Sequence, residues 1–417
     1  GLQIEPMPAF DLEETAPAAV FHLLGGEMRK ATAEAPLSPL WQDIYGFFDE
    51  NSQWQKHLSL LKQGIGKTAK PERLSPKTAK ALYGKNIFSS VSRLERFAGC
   101  PFSFFAEYGL KAEERRLYQL NTPDLGSLFH EVLELFSNKL EQDSLPWTSL
   151  TKEETTARIH AAVEDAAPRL GNRILLDSAA NQYLIRRLKR ISTRAAWTLV
   201  QHLQQGDFVP AGYEVGFGAH EALPPIVIRL QDGGSLILNG KIDRVDLLDA
   251  NGTRYVKIID YKSGNKTFHF QDIYYGLQLQ LLVYLDAYLK YYKKTGASFK
   301  PGGVFYFRIT DPTLALDEEL SAEAIEKILY EKMRMSGLLL QEDVLIHGLD
   351  HSLAESRSSA IVPVGYTKKG DPTAASNLAT EEQYAAILDF VATRTQEIGD
   401  AMKAGIITPA PYRDGQR

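Results

Sequence analysis

Hydrophobic and polar positions sort the chain into three stretches: a helical opening part, a run of strands, and a mixed remainder. Pro6, Pro8, Pro17, Pro36 and Pro39 interrupt the pattern near the start, after which Trp41, Ile44, Phe47 and Phe48 recur at helical spacing. Gly64 to Pro76 is polar and rich in lysine, the composition of a linker or exposed loop. Residues 1–85 therefore read as a helical and irregular lead-in, and no chemistry is visible there.

A compact unit is expected over residues 86–417. Ser92-Arg93-Leu94-Glu95 has the form of a capping box opening a short helix. Gly99-Cys100-Pro101 stops that helix and leads into an aromatic patch of Phe102, Phe104 and Phe105. Thr122-Pro123-Asp124 supplies an N-cap, a proline at the first helical position and an early acid. Leu128, Phe129, Val132, Leu133 and Phe136 continue it as an apolar stripe, and residues 151–206 are mostly helical.

Strands follow. Residues 225–230 and 235–239 flank Asp232-Gly233-Gly234, a hairpin signal. From Lys241 to Leu248, Ile242, Arg244 and Asp246 alternate with Asp243, Val245 and Leu247. Asn251-Gly252 then turns the chain into Tyr255-Val256-Lys257-Ile258-Ile259-Asp260, an apolar strand ending in an acid. A long helix over about 273–290, a strand over 303–309, and helices near 321–336 and 381–404 complete the pattern. This order of helices, β-meander, helix and strand places the class at α/β or α+β.

Composition narrows the function classes. The 417 residues are enough for two or three domains, and 44% hydrophobic with 24% charged residues is ordinary for a globular protein. No stretch approaches the roughly 20 uncharged apolar residues that span a bilayer, and no leader of signal-peptide type is visible, so no membrane partner is expected. A net charge of −5 argues against coating nucleic acid by bulk positive charge, but is compatible with an acidic metal site beside a local basic groove. The single Cys excludes an intramolecular disulfide framework and suits a reducing cytoplasm. The chain opens on Gly1, which reads as a piece excised or processed from something longer.

The chemistry gathers in Gly240-Lys241-Ile242-Asp243-Arg244-Val245-Asp246 and Ile259-Asp260-Tyr261-Lys262-Ser263-Gly264. A hairpin brings Asp243 and Asp260 onto neighbouring strands, where their carboxylates can share one hard cation such as Mg²⁺. Such an ion activates water and stabilises charge on a phosphate under attack. Lys262, two residues beyond Asp260, projects from the same strand face and can orient the water or neutralise the phosphate. Singly these residues are unspecific, since Asp-Arg pairs are often surface salt bridges. The apolar strand, Asp-Tyr-Lys, the upstream Asp and a downstream helix rich in Gln are more specific together.

In this combination the chain resembles the PD-(D/E)XK nucleases of the RecB type, and among them the nuclease regions of AddB-type subunits of bacterial helicase–nucleases. The resemblance covers roughly residues 80–415. It is carried by Ser90-Val91-Ser92-Arg93-Leu94-Glu95 with Cys100-Pro101-Phe102, by Pro123-Asp124-Leu125-Gly126-Ser127-Leu128-Phe129-His130, and by the two acid motifs. Tyr275-Gly276-Leu277-Gln278-Leu279-Gln280-Leu281 and Ile407-Thr408-Pro409-Ala410-Pro411-Tyr412-Arg413 complete it. The resemblance implies an α/β fold of restriction-endonuclease type, a mixed central sheet flanked by helices with extra helical segments. It implies that residues 1–85 are the tail of a helicase-like region and 86–417 the nuclease domain.

The resemblance also implies roles. His130, Asp243, Asp260 and the backbone carbonyl of Tyr261 would bind Mg²⁺ or Mn²⁺, with Lys262 and Gln278 assisting catalysis. Gln280 and Tyr284 form a Gln-x-x-x-Tyr match on the same helix as Gln278 and, with Arg93, Arg186 and Arg190, are candidate DNA contacts. Cys100 would be one of four ligands to a [4Fe–4S] cluster in the full-length protein, the other three following Arg413; one thiolate cannot hold a cluster, so none is expected in this chain. No Walker A motif occurs, so the motor is expected elsewhere. The implied function is hydrolysis of one strand of an unwound duplex during double-strand break repair, in a heterodimer with an AddA-type helicase–nuclease subunit. Two rivals are a free-standing RecB-like exonuclease and a non-catalytic nuclease-like scaffold that binds DNA.

Overall fold

The most apolar run of the sequence becomes an inner strand of the main sheet. A computed structural model describes residues 16–31, 36–65, 72–112, 122–169, 179–314 and 320–412, the side chains of 122–124, 169 and 179–181 excepted. Pro6, Pro8, residues 66–71 of the expected Gly64–Pro76 linker, the side chains of Thr122, Pro123 and Asp124, and Arg413 lie outside what is described.

The chain divides into two units, Gly1–Glu72 and Arg73–Arg417. In the first, α1 (Pro17–Lys30), α2 (Pro39–Glu50) and α3 (Gln55–Ile65) enclose a small core of Val20, Leu24, Phe48 and Leu58. The rings of Phe21 and Trp54 pack against it, 5.0 Å apart.

The second unit takes in a helix that the sequence pattern assigned to the lead-in. This helix, α4 (Pro76–Tyr83), packs on the C-terminal helix of the unit, and Arg73 bridges to Ile406. Next come β1 (Asn86–Ser89), α5 (Val91–Gly99), α6 (Pro101–Phe104), α7 (Thr122–Gln142), α8 (Lys152–Ala166) and α9 (Ala179–Gln204). Strands β2 (Val209–Phe217), β3 (Ile226–Arg229), β4 (Ser235–Leu238), β5 (Gly240–Ala250) and β6 (Thr253–Lys262) follow. The remainder is α10 (Phe270–Tyr275), α11 (Gln280–Lys294), β7 (Phe299–Arg308), α12 (Ala322–Lys332), β8 (Ser336–Leu340), α13 (Asp343–Leu349), β9 (Leu378–Ala379) and α14 (Glu381–Lys403).

The main sheet is mixed, in the order β2-β5-β6-β7-β8-β9, and a smaller sheet has the order β1-β4-β3. The class is α/β with a mixed sheet and flanking helices, as expected. Asn251 and Gly252 both take positive φ, 51° and 75°, which closes the β5–β6 hairpin in the twist-matched sense. Strand alternation divides the helices between the faces of this hairpin. Gln280 of α11 reaches Asp260 on one face, while the electrostatic partners of His202 on α9 are Arg244 and Lys257 on the other.

Two helix ends differ from the sequence pattern. The N-cap of α5 is Ser90, which accepts from the Arg93 N–H, and no capping box forms between Ser92 and Glu95. Glu95 instead leaves its helix to accept from the N–H groups of Leu279 and Gln280, at 2.8 and 3.0 Å, and so caps α11. A carboxylate at a helix N-terminus meets both unpaired donors and the positive end of the helix dipole. The long helix expected over 273–290 is broken, because Gly276 adopts φ 80° as the C-cap of α10 and the chain restarts at Gln280.

Candidate active site

The β5–β6 ladder ends at the pair Arg244 and Ile259. One step further Asp243 and Asp260 would face each other, but the Asp243 side chain replaces the ladder there. Its Oδ2 accepts the Tyr261 main-chain N–H at 2.6 Å, and its Oδ1 lies 3.3 Å from His130 Nδ1. His130 is delivered by α7, which passes close to the end of β6. A Cβ on Gly126, one turn earlier, would sit 3.0 Å from Ser263 Oγ.

Asp260 is buried beside this pair. Lys262 Nζ lies 2.6 Å from its Oδ2, and Gln280 Nε2 donates to its Oδ1 at 2.8 Å. The structure thus brings His130, Asp243, Asp260, Lys262 and Gln280 to one place, where α7, the hairpin and α11 meet.

It does not bring Gln278 there. Gln278 is buried in the α10–α11 connection, accepting from His269 N–H at 3.1 Å and donating to Thr267 O and Asp272 Oδ2 at 2.7 and 2.9 Å. These partners lie in the segment before α10 and in its first turn. Of the two glutamines, Gln280 is the one that reaches an acid of the site. Tyr284, expected on DNA, is buried instead, stacked on Phe217 with ring centroids 5.5 Å apart. Its hydroxyl oxygen would lie 2.0 Å from a Cβ on Gly240, so the glycine opening β5 makes room for it.

Among the described residues, the metal-type donors within 4.8 Å of one another are those of His130, Asp243 and Glu214. Sequence reasoning missed Glu214, having placed no strand before residue 225. It sits in β2 between Tyr213 and Val215, which pair with Arg244 and Ile242, and is therefore across from Asp243. Its φ is 47°, a backbone conformation uncommon for a residue with a side chain. A lone acid in the apolar, glycine-flanked run Gly212-Tyr213-Glu214-Val215-Gly216 is the signal that could have found it.

The electrostatics of the site are those of carboxylates without enough counter-charge. Burial and the neighbouring carboxylates of Asp243 and Glu134 push Glu214 up to about 7. Burial and Asp243 push Asp260 up to about 6, although Lys262 pulls the other way. Burial opposes charge on His130, yet its hydrogen bond to Asp243 raises its pKa above the ordinary value. Burial likewise opposes charge on Lys262, and Asp260 outweighs it. A divalent cation among these groups would remove the repulsion that raises the two acids.

Of the other sequence candidates, Arg93 is exposed with its guanidinium 4.7 Å above the Tyr108 ring. Arg186 and Arg190 are exposed on α9. Cys100 is a free thiol between α5 and α6. The C-terminal segment returns beside it, with Tyr412 N–H donating to Gly99 O at 2.8 Å.

Comparison with known proteins agrees with this geometry. Residues 89–417 match the model of the PD-(D/E)XK nuclease superfamily, and residues 15–64 match the fifth domain of the ATP-dependent helicase/deoxyribonuclease AddB. A protein of Alkaliphilus oremlandii, named as a subunit of an ATP-dependent helicase/deoxyribonuclease, is 40% identical over 96% of this chain and 35% of its own length. Proteins of the same name from Alkaliphilus metalliredigens and Pelotomaculum thermopropionicum are 41% and 36% identical, over 96% and 99% of this chain and 35% and 36% of their own lengths. The chain thus spans about a third of the length of these relatives. With the match running from residue 89 to residue 417, the chain belongs to the PD-(D/E)XK nuclease superfamily.

Proposed function

We propose that this chain is the Mg²⁺- or Mn²⁺-dependent deoxyribonuclease part of an AddAB-type helicase–nuclease, and that it hydrolyses one strand of an unwound duplex during double-strand break repair. The observation that carries this reading is the juxtaposition of the His130, Glu214 and Asp243 donors with the Asp260–Lys262 pair. The donor set fits a divalent cation, being oxygen-rich, part-buried and short of positive charge. His130, Glu214 and Asp243 would hold it, with Asp260 at its border. Such an ion supplies positive charge to a phosphodiester and favours loss of a proton from water.

The chain's own residues do the positioning. Tyr261 N–H and His130 fix the two oxygens of Asp243. Gln280 holds one oxygen of Asp260, leaving the other to the Lys262 ammonium. That ammonium is in reach of a phosphate entering the site and would stabilise charge developing on it.

The names of the relatives support a helicase–nuclease assembly acting on DNA. The AddA-type partner subunit and the single-stranded substrate are part of the proposal. The match at residues 15–64 supports reading the lead-in as the tail of a helicase-like region, and the packing of α4 on α14 moves its boundary with the nuclease domain from residue 86 to Arg73. Among the described residues no helix is long and apolar enough to cross a membrane, and we assign the protein to the cytoplasm. A [4Fe–4S] cluster takes four thiolates, and this chain has one Cys, so its residues do not fit a cluster. The return of Tyr412 beside Gly99 supports Cys100 as one ligand in a longer protein.

The test is strand-specific cleavage by the assembled complex carrying Asp260→Ala. Loss of cutting on one strand, with the other still cut, is expected. Unchanged cutting of both strands would remove the catalytic reading.

A further inference from the structure

An acidic cluster repels the phosphates it is meant to cut, so a strand needs positive charge close by. A cavity of about 430 Å³ between α8, α9 and α12 offers it. Arg186, Lys189, Arg190 and Arg194 line it together with the rings of Trp197 and Tyr330. The cations are only partly compensated. Lys189 pairs with Glu164 at 2.6 Å, Arg190 and Arg194 share Asp311 at 2.6 and 3.6 Å, and the lining acid Glu326 lies 3.9 Å from both Arg194 and Lys152. Arg186 has no carboxylate partner among the described residues, and Thr193 Oγ1 is buried there without a hydrogen-bond partner.

Two further cavities adjoin residues of the candidate active site. A second cavity, about 170 Å³, is lined by Asp311, Arg187, Phe129 and Ser263. Asp311 is the acid that binds Arg190, and Ser263 follows Lys262. A third, about 540 Å³, is lined by Gly126, His130, Glu134 and Glu214. The three share no lining residue; Asp311 of the second reaches Arg190 and Arg194 of the first through ion pairs.

We propose that the α8–α9–α12 cavity is a subsite for one nucleotide of single-stranded DNA, its phosphate against Arg186 and Lys189 and its base against Trp197 and Tyr330. The adjoining nucleotides would extend over Asp311 and Ser263 toward the acidic cluster. The volume lies in the range of small-ligand pockets, and cations beside aromatic faces are how sequence-tolerant single-strand sites are built. The direction of the strand from the subsite rests on the nuclease reading above; the subsite itself does not.

The test uses the intact protein carrying this chain, with Arg186→Glu and Trp197→Ala as separate variants. A single strand substituted with 5-iodouracil, irradiated in EDTA, is expected to cross-link to Trp197 or Tyr330. Each variant is expected to raise the KM for oligonucleotide cleavage roughly fivefold or more with kcat kept. Arg186→Glu is also expected to flatten the salt dependence of binding. Hydrolysis of bis(p-nitrophenyl) phosphate, too small to reach the subsite from the acidic cluster, is expected to stay unchanged in both. Absence of cross-links on α9 and α12, or an unchanged KM and salt slope, overturns the subsite. Loss of free dTMP binding in the variants with oligonucleotide affinity intact also overturns it, because the cavity is then a mononucleotide site. Asp243→Ala protein that neither cuts nor loses its cross-links leaves the subsite standing, so the two readings fail separately.

Discussion

The two faces of the β5–β6 hairpin carry ionic groups of the same kinds and put them to opposite use. On one face Asp246 accepts from Arg244 Nε at 2.6 Å and pairs with Lys257 at 3.0 Å, all three essentially without solvent. Trp147 and Phe208 cover the two cations at 4.6 and 4.5 Å. Burial works against the Asp246 charge, but Arg244 and Lys257 outweigh it and hold its pKa below the usual carboxylate range. On the other face Asp260 and Glu214 are pushed up to about 6 and 7. The nearest histidines follow the same division. His130 is raised by Asp243, whereas burial and then Lys257 and Arg244 lower His202 to about 3. Residue type does not separate a structural ion cluster from a chemical one; the local balance of charge and the remaining opening to solvent do.

The largest expected effect breaks the open face. Asp243→Ala should lower cleavage of one strand by roughly 10³-fold, about 4 kcal/mol of transition-state stabilisation, because it removes a central donor of the cation site. Denaturant unfolding should leave the fold's stability close to wild type, since the substitution also removes a repelling carboxylate. A comparable loss of stability would make Asp243 a structural acid like Asp246.

The closed face should respond in the opposite way. Asp246→Ala leaves Arg244 and Lys257 buried without their anion, and removing one partner of such a group destabilises by about 3–5 kcal/mol. The midpoint of urea unfolding reads this directly. A shift under about 1 kcal/mol would show that the two cations rearrange to solvent, and the division between the faces would collapse.

His202 sharpens the comparison through pH. It is buried neutral, with neither ring nitrogen hydrogen-bonded among the described residues. Its folded pKa of about 3 lies below the ordinary value of 6.5, so the unfolded chain takes up a proton that the fold refuses. The stability it permits is full above pH 6.5 and declines as pH falls toward 3. By about pH 5 the decline is about 2 kcal/mol. Urea unfolding of wild type and His202→Leu at about pH 7 and pH 5 isolates this share; equal pH dependence in both would place the His202 proton elsewhere.

Much of this division was legible in the sequence and some was not. Strand alternation put Asp243 and Asp260 on neighbouring strands because period two and the Asn251-Gly252 turn fix the register. His130 and Gln280 came only through resemblance, since a helix face gives no sign of what it meets across the fold. The break after Gly276 leaves Gln278 in the connection and puts Gln280 at the start of α11, where it faces Asp260. That glycine is plain to see, but the apolar pattern on both sides hides the interruption. Glu214 was not legible, because a single acid in a glycine-flanked strand has no partner until β2 pairs with β5. The capping role of Glu95 depends on a helix far along the chain, which local pattern cannot supply.

Glu214 gives the smallest and most discriminating test, because two separate penalties meet in it. The first is backbone strain at φ 47°, and Gly adopts that conformation freely. The second is a buried carboxylate beside Asp243, whose folded pKa of about 7 lies above the ordinary 4.5. For an acid with a raised pKa the charge penalty is absent below about pH 4.5 and complete above about pH 7. Measured in EDTA at about pH 5, where most of the charge penalty is absent, Glu214→Gly should therefore stabilise the fold by about 1 kcal/mol, the order of strain at one such residue, and by more at about pH 8. Glu214→Gln keeps the strain and removes only the charge, so its gain should be present at about pH 8 and shrink at about pH 5. Both should lower strand cleavage, since both remove a donor. If Glu214→Gln gained equally at the two pH values, or Glu214→Gly cut DNA as wild type does, Glu214 would belong with the closed face of the hairpin.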